Sequence, residues 1–176
     1  MKQLLASLVL LSLTTFNVQA KSGQPGTHSV KQKELYNLHE LAKLSEKNNL
    51  PIMLTFVAEW CEFCHILGSE VLDPMTLGKL YEGKYMYMRY VSIDDHEPIP
   101  GIDNKPINKD KWSDKYDAEL TPTMIFIDSK GNQVAPAIVG IANIELYTTL
   151  IHKALNIAYK KMGNPMVIPP FPEDLM

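Results

Sequence analysis

The chain has 176 residues, of which 45% are hydrophobic and 9% aromatic, and its formal net charge is −3. This length and apolar content predict one ordinary domain with enough hydrophobic material for a substantial core. The slightly acidic balance excludes the basic surface that a nucleic-acid-binding protein requires.

The first twenty residues have the pattern of a secretory signal peptide. Lys2 supplies a positive start, residues 4–16 form an apolar stretch too short to span a bilayer comfortably, and Val18-Gln19-Ala20 places small residues before a cleavage site. We therefore predict residues 1–20 as a signal peptide cleaved after Ala20, with a retained membrane anchor as the alternative. The mature protein is expected in the periplasm, without stable membrane insertion.

A short leader and two regular elements are predicted before the cysteines. Residues 21–29 are polar and glycine-rich, which indicates a flexible leader to a folded domain over residues 30–161. Leucines at helical spacing predict a first helix over residues 30–49. The apolar and partly β-branched segment 51–57 then predicts a buried strand.

Both cysteines of the chain lie in one motif directly after that strand, Glu59-Trp60-Cys61-Glu62-Phe63-Cys64-His65. Apolar residues at helical spacing follow the motif, so we predict it at the N-terminus of a helix. Unpaired backbone N–H groups and the positive end of the helix dipole lower the pKa of a thiol at such a position. The motif is therefore predicted as a redox-active pair.

Three other interpretations of the cysteine pair stay open. A structural disulfide across two residues would close a very small loop, which removes little entropy from the unfolded chain. A zinc site would need His65, His96 and an acidic residue to complete four ligands. Cys61 to His65 also has the Cys-x-x-Cys-His pattern of c-type haem attachment, although haem attachment does not require a preceding strand or Trp60. A pyridine haemochrome assay distinguishes a haem protein from a thiol-exchange protein.

A helix, a strand and a long loop are predicted next. Asp73-Pro74 has the pattern of an N-cap followed by proline at the first helical position, which predicts a second helix to about Gly83. Residues 85–93 alternate and predict a second core strand. Residues 94–110 contain three prolines and predict a surface loop, and we interpret its Asp94-Asp95-His96-Glu97 cluster as a solvated turn.

The C-terminal part is predicted to contain a short helix, a strand, a hairpin turn, a returning strand and a closing amphipathic helix, at residues 111–118, 124–127, 129–132, 133–139 and 143–162. Thr121-Pro122 precedes the first of these strands, where proline is tolerated because its missing N–H need not join the ladder. Residues 162–176 contain four prolines and are predicted as an extended, proline-rich tail.

This order of elements resembles the thioredoxin fold, an α/β fold in which a central mixed β-sheet is flanked by helices. The similarity covers about residues 30–161 and rests on several segments: Val57-Ala58-Glu59-Trp60-Cys61 at the active site, Val91-Ser92-Ile93-Asp94 in a core strand, Thr121-Pro122-Thr123 at the place of the family's cis-proline, and Val139-Gly140 before the last helix. Asp73-Pro74, with the helix and strand after it, is also similar to the exported thioredoxin-like reductases of the Dsb system.

The resemblance implies a thiol:disulfide oxidoreductase that needs no cofactor and no metal. Cys61, as the more exposed sulfur, would attack a partner's disulfide, and Cys64 would resolve the mixed disulfide. Pro122 in cis and Thr121 would hold an extended substrate segment, and Trp60 would flank the site as an apolar platform. The implied partners are protein thiols and disulfides together with a membrane electron donor.

Several residues depart from the thioredoxin pattern. Thr55 stands where thioredoxin keeps a buried acid, so Glu59 or water would have to help deprotonate the resolving cysteine. Glu62-Phe63 replaces the Gly-Pro dipeptide, and its carboxylate and His65 are expected to tune the pKa of the cysteines. His65 and Thr121 are similar to periplasmic disulfide isomerases, but these carry a separate dimerisation domain. A redox-inert thioredoxin-like adaptor is a further alternative.

Overall fold

The computed structural model describes residues 32–175, so the predicted signal peptide and leader lie outside the described residues. The α-helices are α1 Leu38–Asn48, α2 Glu62–Leu67, α3 Asp73–Leu77, α4 Lys109–Lys115 and α5 Tyr147–Met162. A π-helix at Gly68–Leu72 joins α2 to α3, and a 3-10 helix spans Pro172–Leu175. None of the helices within residues 32–175 is long and apolar enough to cross a membrane.

The strands are β1 Ile52–Val57, β2 Tyr87–Ser92, β3 Ile99–Pro100, β4 Pro106–Ile107, β5 Thr123–Ile127 and β6 Ile138–Val139. Four of them form a mixed sheet in the order β2-β1-β5-β6, in which β1 runs parallel to β2 and antiparallel to β5. Helices pack on this central sheet, which confirms the predicted α/β class.

The core lies on both faces of the sheet, with β1 at its centre. Met53 belongs to the cluster that packs against α2, α3 and α5, whereas Leu54 and Phe56 belong to the cluster that packs against α1 and α4. Because both faces of β1 are covered, its sequence is a continuous apolar run rather than an alternating one. The strand that leads to the cysteines is thus buried over Ile52–Phe56 and becomes partly exposed only at Val57, next to the cysteine loop.

The predicted break at Asp73-Pro74 is wrong, because the chain stays helical from α2 through α3. Asp73 has helical dihedrals (φ −64°, ψ −48°), and its N–H donates to the carbonyl of Gly68, five residues earlier. Proline has no N–H to donate to the carbonyl four residues before it. One turn of π-helix accommodates Pro74 without ending the helix. The helix ends at Leu77 rather than near Gly83.

Two predicted segments are more structured or less regular than expected. The predicted loop at residues 94–110 contains the small hairpin β3–β4, in which Ile99 pairs with Ile107. The returning strand predicted at residues 133–139 pairs with β5 only at Gln133–Val134 and in β6. Pro136 lies between these two contacts, and it cannot donate a ladder hydrogen bond.

The tail is extended as predicted until its 3-10 helix, but it packs against α5. Ile168 is buried, and the Asn156 amide pairs with both its backbone N–H and its carbonyl at 2.9 Å. His152 Nδ1 donates to the Pro169 carbonyl at 2.6 Å, which leaves Nε2 to accept from the Tyr81 hydroxyl. These contacts attach Ile168 and Pro169 to α5.

Candidate active site

The two cysteines lie where β1 passes into α2, as the sequence predicts. They are joined in a disulfide, with their Cα atoms 5.3 Å apart. Cys61 has extended dihedrals (φ −85°, ψ 99°) and is the N-cap of α2, and its Sγ accepts a hydrogen bond from the Cys64 N–H at 3.1 Å. After reduction, the same N–H favours the thiolate form of Cys61 over the thiol.

The expectation that Cys61 is the more exposed sulfur stays a prediction for the reduced protein. In the disulfide-bonded state both residues are buried, Cys61 at 5% and Cys64 at 6% exposure. Both pack into a small apolar cluster with Ala58, against Val57 and Ile93. Residue burial therefore does not distinguish the two cysteines, and the assignment of Cys61 as the nucleophile rests on its N-cap position.

Glu59, in the loop before the cysteines, is held from two sides. Its N–H donates to Asp94 Oδ2 at 2.7 Å, and His65 Nε2 donates to its carbonyl at 3.1 Å. Burial alone would raise the pKa of Asp94, but hydrogen bonds from the Ser92 hydroxyl and from the Glu59 N–H outweigh it and hold that pKa below its usual value. Asp94 is thus ionised at neutral pH and anchors the loop.

The Thr121–Pro122 peptide bond is cis, which confirms the sequence prediction. Phe56 pairs with Thr123, and this antiparallel register continued by one residue places Pro122 beside Val57. The Pro122 carbonyl accepts from the Gly140 N–H at 2.8 Å. The cis-proline therefore lies at the end of the sheet from which the cysteine loop departs.

Exposed apolar side chains lie on the segments that carry the cysteines and the cis-proline. Trp60 is 74% exposed and Phe63 is 60% exposed, so Trp60 is not a core residue. Leu120 and Val139, which flank the Thr121–Pro122 segment in sequence and in the sheet, are 71% and 53% exposed. We call these four side chains the apolar rim. Exposed apolar groups concentrated in this way indicate an interaction surface.

A cavity of about 290 Å³ lies beside Cys64. It is lined by Gln32, Val57, Ala58, Glu59, Cys64, His65, Gly68, Leu72, Tyr90 and Ser92. Thr55 is fully buried in β1, and Gln32 Nε2 donates to its hydroxyl at 3.5 Å. Among residues 32–175, no group of three or more His, Cys, Asp or Glu side chains is placed to hold a metal ion, and His96 is exposed.

A sequence model of a family described as a thioredoxin-like domain matches residues 38–155. The chain belongs to this thioredoxin-like family. The thiol:disulfide interchange protein DsbD of Ralstonia nicotianae is 23% identical over 148 residues, which are 82% of this chain and 22% of the relative. The chain therefore spans about a fifth of the length of that relative.

Two solved structures have a similar fold. A DsbH oxidoreductase matches with a TM-score of 0.55 and 20% identity, over 76% of this chain and 92% of its own. A thioredoxin-fold protein from Helicobacter pylori matches with a TM-score of 0.51 and 18% identity, over 73% of this chain and 78% of its own. At these identities the likeness concerns the fold alone, and it confirms the thioredoxin-like fold.

The family and the cysteine pair together are consistent with a thiol:disulfide oxidoreductase. They favour thiol exchange over c-type haem attachment and over a purely structural disulfide. Sequence analysis placed the cysteines and the cis-proline but missed Asp94 as the anchor of the loop. Its signal was the position of Asp94 directly after a predicted core strand, because neighbouring parallel strands end at one edge of a sheet.

Proposed function

We propose that this protein is an exported thiol:disulfide oxidoreductase that reduces disulfides of partner proteins through Cys61 and Cys64. The observation that carries the proposal is the cysteine pair at the N-terminus of α2, at the same end of the sheet as the cis-proline Pro122. A hydrogen bond from the Cys64 N–H to the Cys61 sulfur supports Cys61 as the thiolate.

The reaction proceeds in two exchanges from the reduced protein. The Cys61 thiolate attacks one sulfur of the partner's disulfide, and the other partner sulfur leaves as a thiolate. Cys64 then loses its proton and attacks the Cys61 sulfur, which breaks the mixed disulfide and releases the second partner sulfur. The partner gains two electrons, and Cys61 and Cys64 end in the disulfide that this structure contains.

The apolar rim and the Thr121–Pro122 segment are the proposed binding surface for the partner. An extended partner segment would pair with the backbone of Thr121 next to the cis-proline, in the manner of an added strand. Trp60 and Phe63 would cover the partner's side chains around its disulfide and exclude water from the exchanging sulfurs.

Localisation and direction of electron flow belong to the same proposal. The predicted signal peptide and the similarity to an interchange protein of the Dsb group support a periplasmic location. A reductase in an oxidising compartment accumulates in its disulfide form, so it needs a source of electrons. We propose a membrane protein as that donor.

A Cys64→Ser variant tests the proposed function, because it retains the attacking sulfur and lacks the resolving one. We expect it to accumulate covalent adducts with periplasmic proteins that dithiothreitol releases. The double variant Cys61→Ser/Cys64→Ser is the matched control, and it is expected to form none. Identical adduct patterns from the two variants would contradict the proposal and favour the redox-inert adaptor.

The roles of the two cysteines can be measured separately by alkylation of the reduced protein at pH 7. We expect iodoacetamide to modify Cys61 at least about tenfold faster than Cys64, because the thiolate at the N-cap has the lower pKa. Peptide mass spectrometry after timed quenching measures both rates. Equal rates would refute the assignment of Cys61 as the nucleophile.

A further inference from the structure

Gln32 is a buried polar residue whose hydrogen bonding is incomplete. Its side chain is 2% exposed, and its Oε1 has no hydrogen-bond partner among residues 32–175. A buried amide oxygen without a partner costs roughly 1–3 kcal/mol, so such an atom generally binds a ligand or a water molecule. Gln32 lines the cavity beside Cys64, where its amide nitrogen donates to Thr55.

The segment that carries Gln32 is fixed against the sheet. The Tyr90 N–H donates to the Lys33 carbonyl at 3.0 Å, and the Leu35 N–H donates to the Tyr90 carbonyl at 2.9 Å. These bonds add a parallel bridge next to β2, and Gln32 lines the cavity together with residues of β2 and α2. The amide is therefore held in position rather than free to turn toward solvent.

The resolving step of the proposed function places a specific demand on this region. Cys64 must lose a proton before its sulfur attacks the mixed disulfide, and a buried thiol ionises reluctantly. The neutral Thr55 hydroxyl, which accepts from the Gln32 amide, is not a base at neutral pH. A water molecule of about 30 Å³ fits in the cavity of about 290 Å³, where Gln32, Cys64 and Glu59 supply polar groups in a largely apolar lining.

We propose that Gln32 positions a water molecule in this cavity, and that this water carries the Cys64 proton to the Glu59 carboxylate during resolution. The Gln32 Oε1 accepts one water hydrogen, which directs the water's lone pair toward the Cys64 thiol. The S–H bond breaks as the water passes a proton to Glu59, and the sulfur attacks Cys61. The released partner thiolate then takes up a proton, so the step balances. This inference rests on the proposed function.

Two other titratable groups, Tyr90 and His65, also line the cavity. Tyr90 stays protonated at neutral pH, since burial, helped by nearby Glu34, raises its pKa to about 12. The His65 Nε2 donates to the Glu59 carbonyl and so helps to hold the loop that carries Glu59. Glu59 supplies the carboxylate among the residues that line this cavity.

The test uses stopped-flow release of thionitrobenzoate from dithiobis(nitrobenzoate) by the reduced, full-length protein. The first release reports attack by Cys61, and the second reports resolution by Cys64. For Gln32→Met we expect an unchanged first phase and a second phase about tenfold slower at pH 7, as for loss of one buried hydrogen bond. The difference should close toward pH 9, where the Cys64 thiol ionises without help.

Three further variants make the outcome decisive. Gln133→Met removes a glutamine that bonds the Ala135 carbonyl away from the site, and both phases should stay as in the wild type. Glu59→Gln should slow the second phase as Gln32→Met does. Thr55→Val removes the hydroxyl to which the Gln32 amide donates, so the second phase should be about threefold slower. If Gln32→Met does not fold, Thr55→Val alone tests the role of Gln32.

The results separate this inference from the proposed function. A wild-type protein that releases no thionitrobenzoate would overturn the proposed function. Only the role of Gln32 would be overturned if the wild type shows two phases and both Gln32→Met and Thr55→Val leave the second phase unchanged. A slowing that persists undiminished at pH 9 would also overturn it, because that behaviour indicates a structural defect.

Discussion

Replacing Lys109 with methionine is expected to lower the free energy of unfolding by about 3 kcal/mol. The Lys109 ammonium is almost fully buried and pairs with Glu34 Oε1 at 3.0 Å and with Asp95 Oδ2. Its removal leaves two partly buried carboxylates next to each other without a counter-charge. We expect the lower end of the range for broken buried ion pairs, because the Asp95 side chain is 36% exposed. Urea unfolding of the oxidised protein at pH 7 measures the change.

Lys105→Met is the matched control for this experiment. Lys105 pairs with Asp103 at 3.0 Å, but the two side chains are 82% and 59% exposed. An exposed pair of this kind contributes little to the free energy of unfolding, because solvent screens it. Similar losses for the two variants would show that burial does not decide the strength of the Lys109 cluster.

The effect of Lys109→Met should also depend on pH. The hydrogen bond from Lys109 lowers the pKa of Asp95, so this part of the stability is present at neutral pH and is lost as pH falls through the folded-state pKa. Burial alone would lower the pKa of Lys109, but its bonds to Asp95 and Glu34 outweigh burial and raise it. The difference between wild type and variant should therefore shrink below about pH 4.

The cluster also bears on the active site. Asp95 follows Asp94, whose carboxylate holds the Glu59 N–H in the loop before the cysteines. Because Lys109 binds Asp95, it also stabilises the segment whose Asp94 holds this loop. Loss of stability in Lys109→Met should be accompanied by faster proteolysis at residues 94–97, which limited digestion detects.

The local part of the fold was predictable from short stretches of sequence. The apolar run of β1, the cysteine motif and the following apolar periodicity are all encoded within about twenty residues. The cis-proline was predictable from Thr121-Pro122 at the start of a strand together with the family resemblance. The error at Asp73-Pro74 arose because proline fits the first turn of a new helix and also a π turn of a continuing one.

The contacts that complete the site were not predictable in the same way. Gln32 meets Thr55 across 23 residues, and Asp94 meets Glu59 across 35 residues. Both contacts depend on how β2 and the segment before α1 lie along β1, and side-chain periodicity does not encode that pairing. The docking of Ile168 on α5 is similar, because a single apolar residue among prolines gives no periodic signal.

The potential of the cysteine pair is expected to lie near that of thioredoxin, about −270 mV, rather than near the roughly −120 mV of the strong periplasmic oxidant. This difference corresponds to about five orders of magnitude in the exchange equilibrium. A strongly oxidising pair requires a stabilised thiolate, and Glu62 places a carboxylate between the cysteines. The like charge raises the pKa of the attacking thiol and so stabilises the disulfide relative to the dithiol.

Two local features act on the same thiolate, and their balance fixes the direction of electron flow. The Cys64 N–H donates to the Cys61 sulfur and favours the thiolate, whereas His65 directs its Nε2 to the Glu59 carbonyl. We therefore expect the exposed Glu62 carboxylate to offset part of the stabilisation by the Cys64 N–H, and the pair to act as a reductant that needs a donor.

Redox titration against glutathione or dithiothreitol tests this expectation, with Glu62→Gln beside the wild type. Removing the charge should raise the potential by roughly 10 mV, since the exposed carboxylate acts through solvent. Glu70→Gln, which removes an exposed carboxylate two turns further along the same helix, should leave the potential unchanged. A wild-type potential above about −150 mV, or no rise for Glu62→Gln, would contradict the electrostatic argument and favour an oxidase or isomerase.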